Sequence, residues 1–360
     1  MLKRYFPLFL LTINNIFPFD KISIMILDVL FYHTIGKLSK RVNVMLILCF
    51  FVLLISFLCN IGASSLRIFY PFLFLFGACV LSLRSDDIKK ISFLFLPSII
   101  IGILGVIYSI MTDFTPNDFS VYLEGKNFLF PVGAVGFSPT PQVYGTFCIL
   151  YIWVCFERKQ LDWGFALSVI GILLSMNRTS YVFFLFILFL YKRVWAVLAG
   201  VCFLPILLNN VDILYNLTDS SNLDSRDQLR YGFEMHYWQS KDLLTLLIGI
   251  GNNEIAPQYS KYNLTDRSYI ENGLDFILAI SGMIGFIFYM IFISLFVLKL
   301  LNKRKFKICL VFLFYMFVNQ WMTQEFLASS FFFFILFVLV MSRRKKSLLA
   351  MSDSVEFAIS

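Results

Sequence analysis

Apolar stretches, most of them about 15 to 21 residues long, recur along almost the whole of this sequence. Of the 360 residues, 59% are hydrophobic and only 14% are charged, whereas soluble domains have roughly 45 to 50% apolar residues. Stretches of this length and number need lipid rather than a packed interior to receive them. The sequence therefore predicts an all-α polytopic membrane protein, and it excludes a water-soluble globular fold.

About twelve spans can be placed on these stretches. The predicted runs cover roughly residues 5 to 19, 22 to 36, 42 to 59, 66 to 83, 91 to 111, 142 to 156, 163 to 175, 178 to 191, 194 to 208, 272 to 300, 307 to 323 and 326 to 341. Within the first 36 residues, two short runs are interrupted by Asn and Asp residues. This pair could form either a hairpin or a broken, partly re-entrant segment.

Clusters of Lys and Arg occupy every second spacer between the predicted spans, and 21 of the 30 basic residues lie in these spacers or at the two ends. By the positive-inside rule these segments face the cytoplasm, which places both termini inside. The predicted organisation is then spans 1 to 9 in residues 1–208, one large periplasmic loop in residues 209–270, and spans 10 to 12 with a basic tail in residues 271–360. We expect a multi-pass protein of the bacterial inner membrane.

A few Arg residues oppose this orientation signal, because they lie on the predicted outer face: Arg178, Arg226, Arg230 and Arg267. A guanidinium at the rim of a bilayer needs an anionic partner, and its planar fork suits phosphate oxygens. The alternative is that these side chains reach out to bulk lipid phosphates or to structural carboxylates. The large loop has five basic and eight acidic residues, so a nucleic acid partner is not expected.

The residues that most often hold metals are scarce or badly placed for that role. The chain has two His residues, His33 and His236, and its seven Cys residues all fall inside apolar stretches. No Cys-x-x-Cys or His-Glu-x-x-His pattern occurs. We therefore expect no metal site and no disulfide framework, and any reaction would depend on acids, Arg or a single His.

The segment RSYIENGLDFILAISGMIGFIFY, which begins at Arg267 and runs into a predicted span, resembles a signature of the bacterial O-antigen polymerases and O-antigen ligases. In that signature an Asn at the end of the large outer loop is followed by an apolar residue at plus 6 and by Gly at plus 10 and plus 13. The matching residues here are Asn272, Leu278, Gly282 and Gly285. The Leu of the family's plus 3 position is Asp275 in this chain.

Three further pieces are similar to the same family and lie in the same order. LLTLLIGIGNNE resembles its apolar lead into a Gly-x-Gly turn at Gly249 and Gly251, SRDQLR resembles its Arg-bearing loop helix, and SMNRTS resembles its Ser-x-x-Arg-Thr turn at Arg178. The ligases carry His immediately before the Asn, whereas this chain has Glu271. The resemblance therefore favours a polymerase over a ligase.

The resemblance implies a glycosyltransferase of the periplasmic membrane face. It would transfer a growing glycan from undecaprenyl pyrophosphate to the non-reducing end of a new lipid-linked repeat unit, with neither metal nor nucleotide, and with a chain-length regulator as a possible partner. Arg178, Arg226, Arg230 and Arg267 would bind the pyrophosphate. Glu271, or else His236, would accept the proton of the attacking hydroxyl.

Other interpretations stay open from the sequence. Glu271 could simply be an acid at a helix N-terminus, and Glu325 could line the acceptor side or be structural. Gly282 and Gly285 have the spacing of helix packing residues. The two competing functions are ligation of a finished glycan and transport of the lipid-linked sugar as a flippase or secondary transporter.

Overall fold

The computed structural model describes residues 2–13, 40–59, 69–81, 87–112, 119–122, 131–200, 243–249, 272–323 and 325–342, and this part of the chain is mostly helical. The helices are α1 (Leu2–Thr12), α2 (Lys40–Cys59), α3 (Tyr70–Val80), α4 (Asp87–Thr112), α5 (Pro141–Arg158), α6 (Trp163–Leu174), α7 (Arg178–Tyr191), α8 (Leu243–Ile248), α9 (Gly273–Asn302), α10 (Phe306–Met322) and α11 (Ser329–Met341). A hairpin pairs strands β1 (Ser120–Tyr122) and β2 (Val132–Ala134).

Two of these helices, α4 and α9, are long and apolar enough to cross a membrane. Several shorter apolar helices, α6, α7, α10 and α11 among them, lie where the sequence predicts spans. This architecture is compatible with a helical membrane protein. The twelve-span count and the large loop stay predictions, since residues 14–39 and 201–242 lie outside the described residues.

Several of the basic turns lie together at one end of the helices. The Lys303 ammonium donates to the Ser342 carbonyl oxygen at 3.2 Å, and the Lys307 ammonium lies 5.0 Å from the centre of the Tyr191 ring. Tyr191 in turn donates to Glu157. The ends of α5, α7, α9 and α11 and the start of α10 therefore meet there, and we call this the basic end.

The core is largely aromatic and is centred on α11, where the run Phe331 to Phe337 is fully buried. The Phe333 ring lies 5.0 Å from Phe95 of α4 and 5.9 Å from Phe147 of α5, measured between ring centres. Edge-to-face ring pairs of this kind add to the gain from burial alone. These contacts fix α4 and α5 around α11.

On the side of the molecule opposite the basic end, α4 extends further than α5 does. The Tyr144 hydroxyl, in the first turn of α5, donates to the carbonyl oxygen of Ile99 at 2.9 Å. Thirteen further residues of α4 follow Ile99, which is about 20 Å of helix. The start of α5 is therefore recessed relative to α4.

The β hairpin packs along this extra length of α4. Ser109 and Ser120 share a hydrogen bond of 2.8 Å, and lower down the Phe137 amide donates to the Ser98 hydroxyl at 2.9 Å. Strand β2 is buried.

Helix α9 is sharply bent at Gly282, where φ is 61° and ψ is −171°. The Phe326 ring lies 2.7 Å from the position of a Cβ on Gly273, and its centre is 5.5 Å from that of the Tyr289 ring. Gly273 and Tyr289 would be about 24 Å apart in a straight helix, which is too far for one phenyl ring to bridge. Residues 273–281 therefore form a half-helix that folds back, with its N-terminus directed into the bundle.

The bend is held by α8 and α2. A Cβ on Gly282 would lie 2.4 Å from the Leu247 carbonyl oxygen, and one on Gly249 would lie 2.5 Å from the Ala279 carbonyl oxygen. Gly249 itself has a φ of 92°. The Ser56 hydroxyl donates to the Ile280 carbonyl at 2.9 Å, so it satisfies an acceptor that the broken helix leaves unpaired. The sequence predicts one continuous span here, and the two glycines explain the difference.

Candidate functional site

A fully buried carboxylate, Glu325, lies between α10 and α11 and is 1% exposed. Its Oε1 accepts hydrogen bonds from Thr146 Oγ1 at 2.9 Å and from Asn319 Nδ2 at 3.2 Å. Its Oε2 accepts from the Tyr315 hydroxyl and from Ser330 Oγ, both at 2.9 Å. We call these five residues the Glu325 cluster. It joins α5, α10 and α11 through one side chain.

Local backbone irregularities place the members of the cluster. Residues 314–319 of α10 form a π-helical turn, a feature that is frequent at functional sites. This turn carries both Tyr315 and Asn319. Thr323 ends α10 in an extended conformation, and Glu325 begins a short 3-10 turn before Ser330 in α11. The chain thereby folds Glu325 back onto the helix that precedes it.

Every hydrogen-bond donor to Glu325 in the described part of the chain is neutral. The cluster contains three hydroxyl groups and one amide, and none of them carries a positive charge. Burial raises the pKa of Glu325, and the four donors only partly offset this rise. The proton-bound form of Glu325 is therefore favoured to a higher pH than that of an exposed Glu.

The N-terminus of the half-helix lies beside this cluster. The Gly273 amide donates to the Thr323 carbonyl at 3.1 Å, and the buried Asn272 caps the helix by accepting from the Leu274 amide at 2.9 Å. Asn272 Nδ2 also donates to Asp275 Oδ2 at 2.7 Å. Asp275, which departs from the resembled signature, is therefore the acceptor for the Asn of that signature.

The Gln320 side chain is unusual because it is polar and buried, yet it lacks hydrogen-bond partners among the described residues. It is 0% exposed, and neither its amide nitrogen nor its amide oxygen has a hydrogen-bond partner among the described residues. Its Oε1 lies 3.0 Å from the position of a Cβ on Gly273. A buried amide without partners costs free energy and calls for an explanation. The Gln320 side chain lies between the half-helix and the Glu325 cluster.

Arg178 is the first residue of α7 and is half-buried, so it lies at a helix start rather than in the middle of the predicted turn. Asn177 caps the helix by accepting from the Ser180 amide at 2.9 Å. The turn before α7 lies at the end of α7 opposite Tyr191 and so away from the basic end. A cation at a helix N-terminus is disfavoured by the helix dipole, so this position offers Arg178 no advantage from its own helix.

Helix α5 brings the Arg178 turn and the Glu325 cluster together. A Cβ on Gly145 would lie 2.2 Å from Ser180 Oγ and 3.5 Å from Ser175 Oγ, so only Gly allows this turn to lie against α5. The next residue, Thr146, donates to Glu325. Consecutive residues of α5 thus contact the segment that includes Arg178 and the buried acid Glu325.

Most of the predicted site residues lie outside the described residues. These are Glu271 and His236, predicted to be catalytic, and Arg226, Arg230 and Arg267, predicted to bind pyrophosphate. Their roles stay predictions. In the sequence, Glu271 directly precedes Asn272.

The sequence draws attention to Glu325, but it does not predict the hydrogen-bond partners Thr146, Tyr315 and Ser330. It also does not predict that Gln320 lies beside them. The sequence signal for these partners is the group of polar residues from Asn319 to Glu325 between two apolar runs.

Within the described part of the chain, no group of three or more His, Cys, Asp or Glu side chains is placed to hold a metal ion. In comparisons with known proteins, no family model and no curated protein matches this chain.

Proposed function

We propose that this chain is an O-antigen polymerase, a glycosyltransferase that elongates a glycan held on undecaprenyl pyrophosphate. The observation that supports the proposal is that the segment from Ser175 to Ser180, which includes Arg178, packs on Gly145 of α5, while the next residue of α5, Thr146, donates to Glu325. A guanidinium suits the pyrophosphate of the donor, and a buried acid suits the proton transfer that hydroxyl attack requires. The resemblance around Asn272 and Arg178 supports the same conclusion.

In this proposal Arg178, with Arg226, Arg230 and Arg267, binds the pyrophosphate of the donor. The acceptor hydroxyl attacks the anomeric carbon, and the bond from that carbon to the pyrophosphate oxygen breaks. Its electron pair remains on the pyrophosphate, where the guanidinium groups stabilise the developing charge. Because pyrophosphate is already a competent leaving group, the step requires no nucleotide. Glu271 or His236 accepts the proton.

The test is the surface glycan of a strain that lacks the gene, with and without the full chain supplied in trans. A lipopolysaccharide that carries a single repeat unit in the deletion strain, and a restored ladder on complementation, is the expected result. Loss of all surface glycan with lipid-linked polymer retained would instead indicate a ligase. A ladder that is unchanged by the deletion would contradict both activities.

A lipid-linked oligosaccharide transporter is the second candidate, because two observations favour it. The half-helix of α9, broken at Gly282, and the buried Glu325 are both features of secondary transporters. Reconstituted chain would then exchange labelled lipid-linked sugar across a liposome membrane without elongating it. Elongation of the sugar would exclude transport as the sole activity.

A further inference from the structure

The start of α4 packs on the last turns of α5, at the basic end. The Phe93 ring of α4 lies 6.0 Å from the Tyr151 ring of α5, measured between ring centres. The Lys89 ammonium, one turn earlier in α4, lies 5.6 Å from the centre of the Phe93 ring. Lys89 is therefore held beside the end of α5.

Arg158, in the last turn of α5, lies on the same face of that helix as Tyr151. Tyr151, Cys155 and Arg158 follow the i, i+4, i+7 spacing that places side chains along one side of a helix. Both Lys89 and Arg158 act electrostatically on the Cys155 thiol. The two cations therefore border the same strip of α5.

The acidic side chains near this strip already accept hydrogen bonds within the protein. Asp162 accepts from the Tyr151 hydroxyl at 3.0 Å and from the Phe165 amide at 3.2 Å, as the cap of α6. Glu157 accepts from Tyr191. Neither carboxylate forms a printed hydrogen bond with a cation of this strip, so the positive charge there is only partly balanced.

The Arg158 guanidinium has a buried donor that finds no acceptor in the described part of the chain. This donor is Nε, while the side chain as a whole is half-exposed. A donor of a charged group without an acceptor costs free energy. The neighbouring Lys90 and Lys159 are exposed. We call Lys89, Lys90, Arg158 and Lys159 the α4–α5 cation surface.

An exposed tryptophan indicates which anion this surface meets. Trp163 is the first residue of α6, an apolar helix, and is 59% exposed. It is separated from Lys159 by only three residues. Trp side chains at the ends of apolar helices are enriched at the level of lipid head groups, and Arg and Lys side chains there reach towards the aqueous boundary. The α4–α5 cation surface therefore lies at head-group depth.

We infer that Arg158 and Lys89 bind the head group of an anionic phospholipid, one that carries a phosphate and no compensating cation. The planar fork of Arg158 suits two phosphate oxygens, and the Lys89 ammonium adds a point charge. A zwitterionic lipid suits the surface less, because its own cation would lie among four others. This inference does not depend on the proposed polymerase function.

The experiment is native mass spectrometry of purified full-length chain in detergent micelles that contain equal amounts of phosphatidylglycerol and phosphatidylcholine. Wild type is compared with Arg158→Gln, Lys89→Gln and Arg193→Gln. Arg193→Gln is the matched control, because it removes the same charge from an exposed Arg that follows α7 and lies over the Phe189 ring. A parallel sample receives an excess of inorganic phosphate.

We expect wild type to retain phosphatidylglycerol in preference to phosphatidylcholine. Arg158→Gln should lower the retained phosphatidylglycerol by about 10-fold, as for a lost charge-assisted hydrogen bond. Lys89→Gln should lower it by about threefold, as for a partly exposed ion pair. Arg193→Gln should stay within about twofold of wild type, since exposed charges are screened. Inorganic phosphate should not displace the lipid.

Equal retention of the two lipids by wild type would overturn the inference. An equal loss in Arg193→Gln and Arg158→Gln would show a general effect of surface charge and would overturn it too. Displacement of phosphatidylglycerol by inorganic phosphate would indicate a site for a free anion and so contradict the lipid assignment. If Arg158→Gln cannot be purified, wild-type retention by Lys89→Gln decides against the site.

Discussion

Glu325 shows how a single residue can couple stability to chemistry. A carboxylate without a cation is costly to bury, and four neutral hydrogen bonds reduce the cost without removing it. The raised pKa means that the folded state favours the protonated acid more than the unfolded state does. The stabilisation is complete below the unfolded pKa of about 4.3, and it is lost as the pH rises through the folded pKa.

Replacing Glu325 by Gln should therefore remove a pH dependence of stability. We expect the Tm of wild type in detergent to decrease from pH 5 to pH 8 relative to that of Glu325→Gln. At pH 8 the variant should melt higher by about 2 °C or more, since each kcal/mol shifts Tm by roughly 2–4 °C in chains of 150 to 250 residues and less in longer ones. Thermal unfolding of both proteins across this pH range provides the measurement.

Parallel Tm curves for the two proteins would show that folding does not raise the pKa of Glu325. Glu325→Ala serves as the comparison, because it leaves four buried donors without their acceptor. Each unpaired buried donor costs about 1–3 kcal/mol. Glu325→Ala should therefore melt lower than wild type at both pH values.

The bend in α9 is the feature at the scale of elements that brings Asn272 into the bundle. Without it, the N-terminus of α9 would lie about 24 Å along the helix from Tyr289 rather than beside the same Phe326 ring. The bend depends on two glycines in contact, Gly282 and Gly249, from segments that are far apart in the sequence. The position of Asn272 next to Gln320 therefore depends on the docking of α8.

Gly282→Ala should destabilise the protein by about 2 kcal/mol or more. A Cβ there would overlap the Leu247 carbonyl oxygen at 2.4 Å, and the backbone conformation of Gly282, which is essentially restricted to Gly, adds roughly 1–3 kcal/mol for another residue. Gly249→Ala should act in the same way. Gly200→Ala is the matched control, because a Cβ at Gly200 meets no atom of the described residues within 4 Å.

The measurement is the Tm of each purified variant in the same detergent. If Gly282→Ala and Gly200→Ala have the same Tm, α8 is not docked against the bend as described. Ser56→Ala should lie between the two, since it leaves only the Ile280 carbonyl without its donor.

The sequence predicts the helices better than the contacts between them. Apolar runs at residues 163 to 175 and 178 to 191 correspond closely to Trp163–Leu174 and Arg178–Tyr191, since hydropathy alone determines such elements. The bend at Gly282 could not be predicted, because it needs the remote Gly249 to pack into it. The packing role predicted for Gly282 is confirmed by its close approach to α8.

The candidate site was predictable only in part, for the same reason. Arg178 stands out in the sequence as a cation in an apolar region, and Glu325 stands out as an acid in one. The link between them depends on Gly145 and Thr146 of α5, two residues that have no charge and no distinctive spacing. Sequence patterns identify unusual residues, whereas their joint placement depends on tertiary packing.

At the scale of the whole molecule, the predicted orientation places the basic end in the cytoplasm. Single Cys residues at Tyr122 and Leu161, both about half exposed, would test this in a chain whose seven native Cys residues are replaced. We expect an impermeant thiol reagent to label Tyr122→Cys in intact spheroplasts and to label Leu161→Cys only after permeabilisation. The reverse pattern would place Arg178 and the Glu325 cluster on the cytoplasmic side, away from the proposed substrate.

The central claim is that a guanidinium at the start of α7 holds a pyrophosphate while the glycan is transferred. Purified chain in liposomes, supplied with undecaprenyl-pyrophosphate-linked repeat units, tests it most directly. We predict that wild type makes a polymer ladder and that Arg178→Ala loses about 100- to 1,000-fold in rate, as for other lost oxyanion donors. Arg178→Lys should also be impaired, because an ammonium cannot reproduce the planar fork. Lys192→Ala, at the basic end, should keep the wild-type rate. A ladder of unchanged rate from Arg178→Ala would contradict the account.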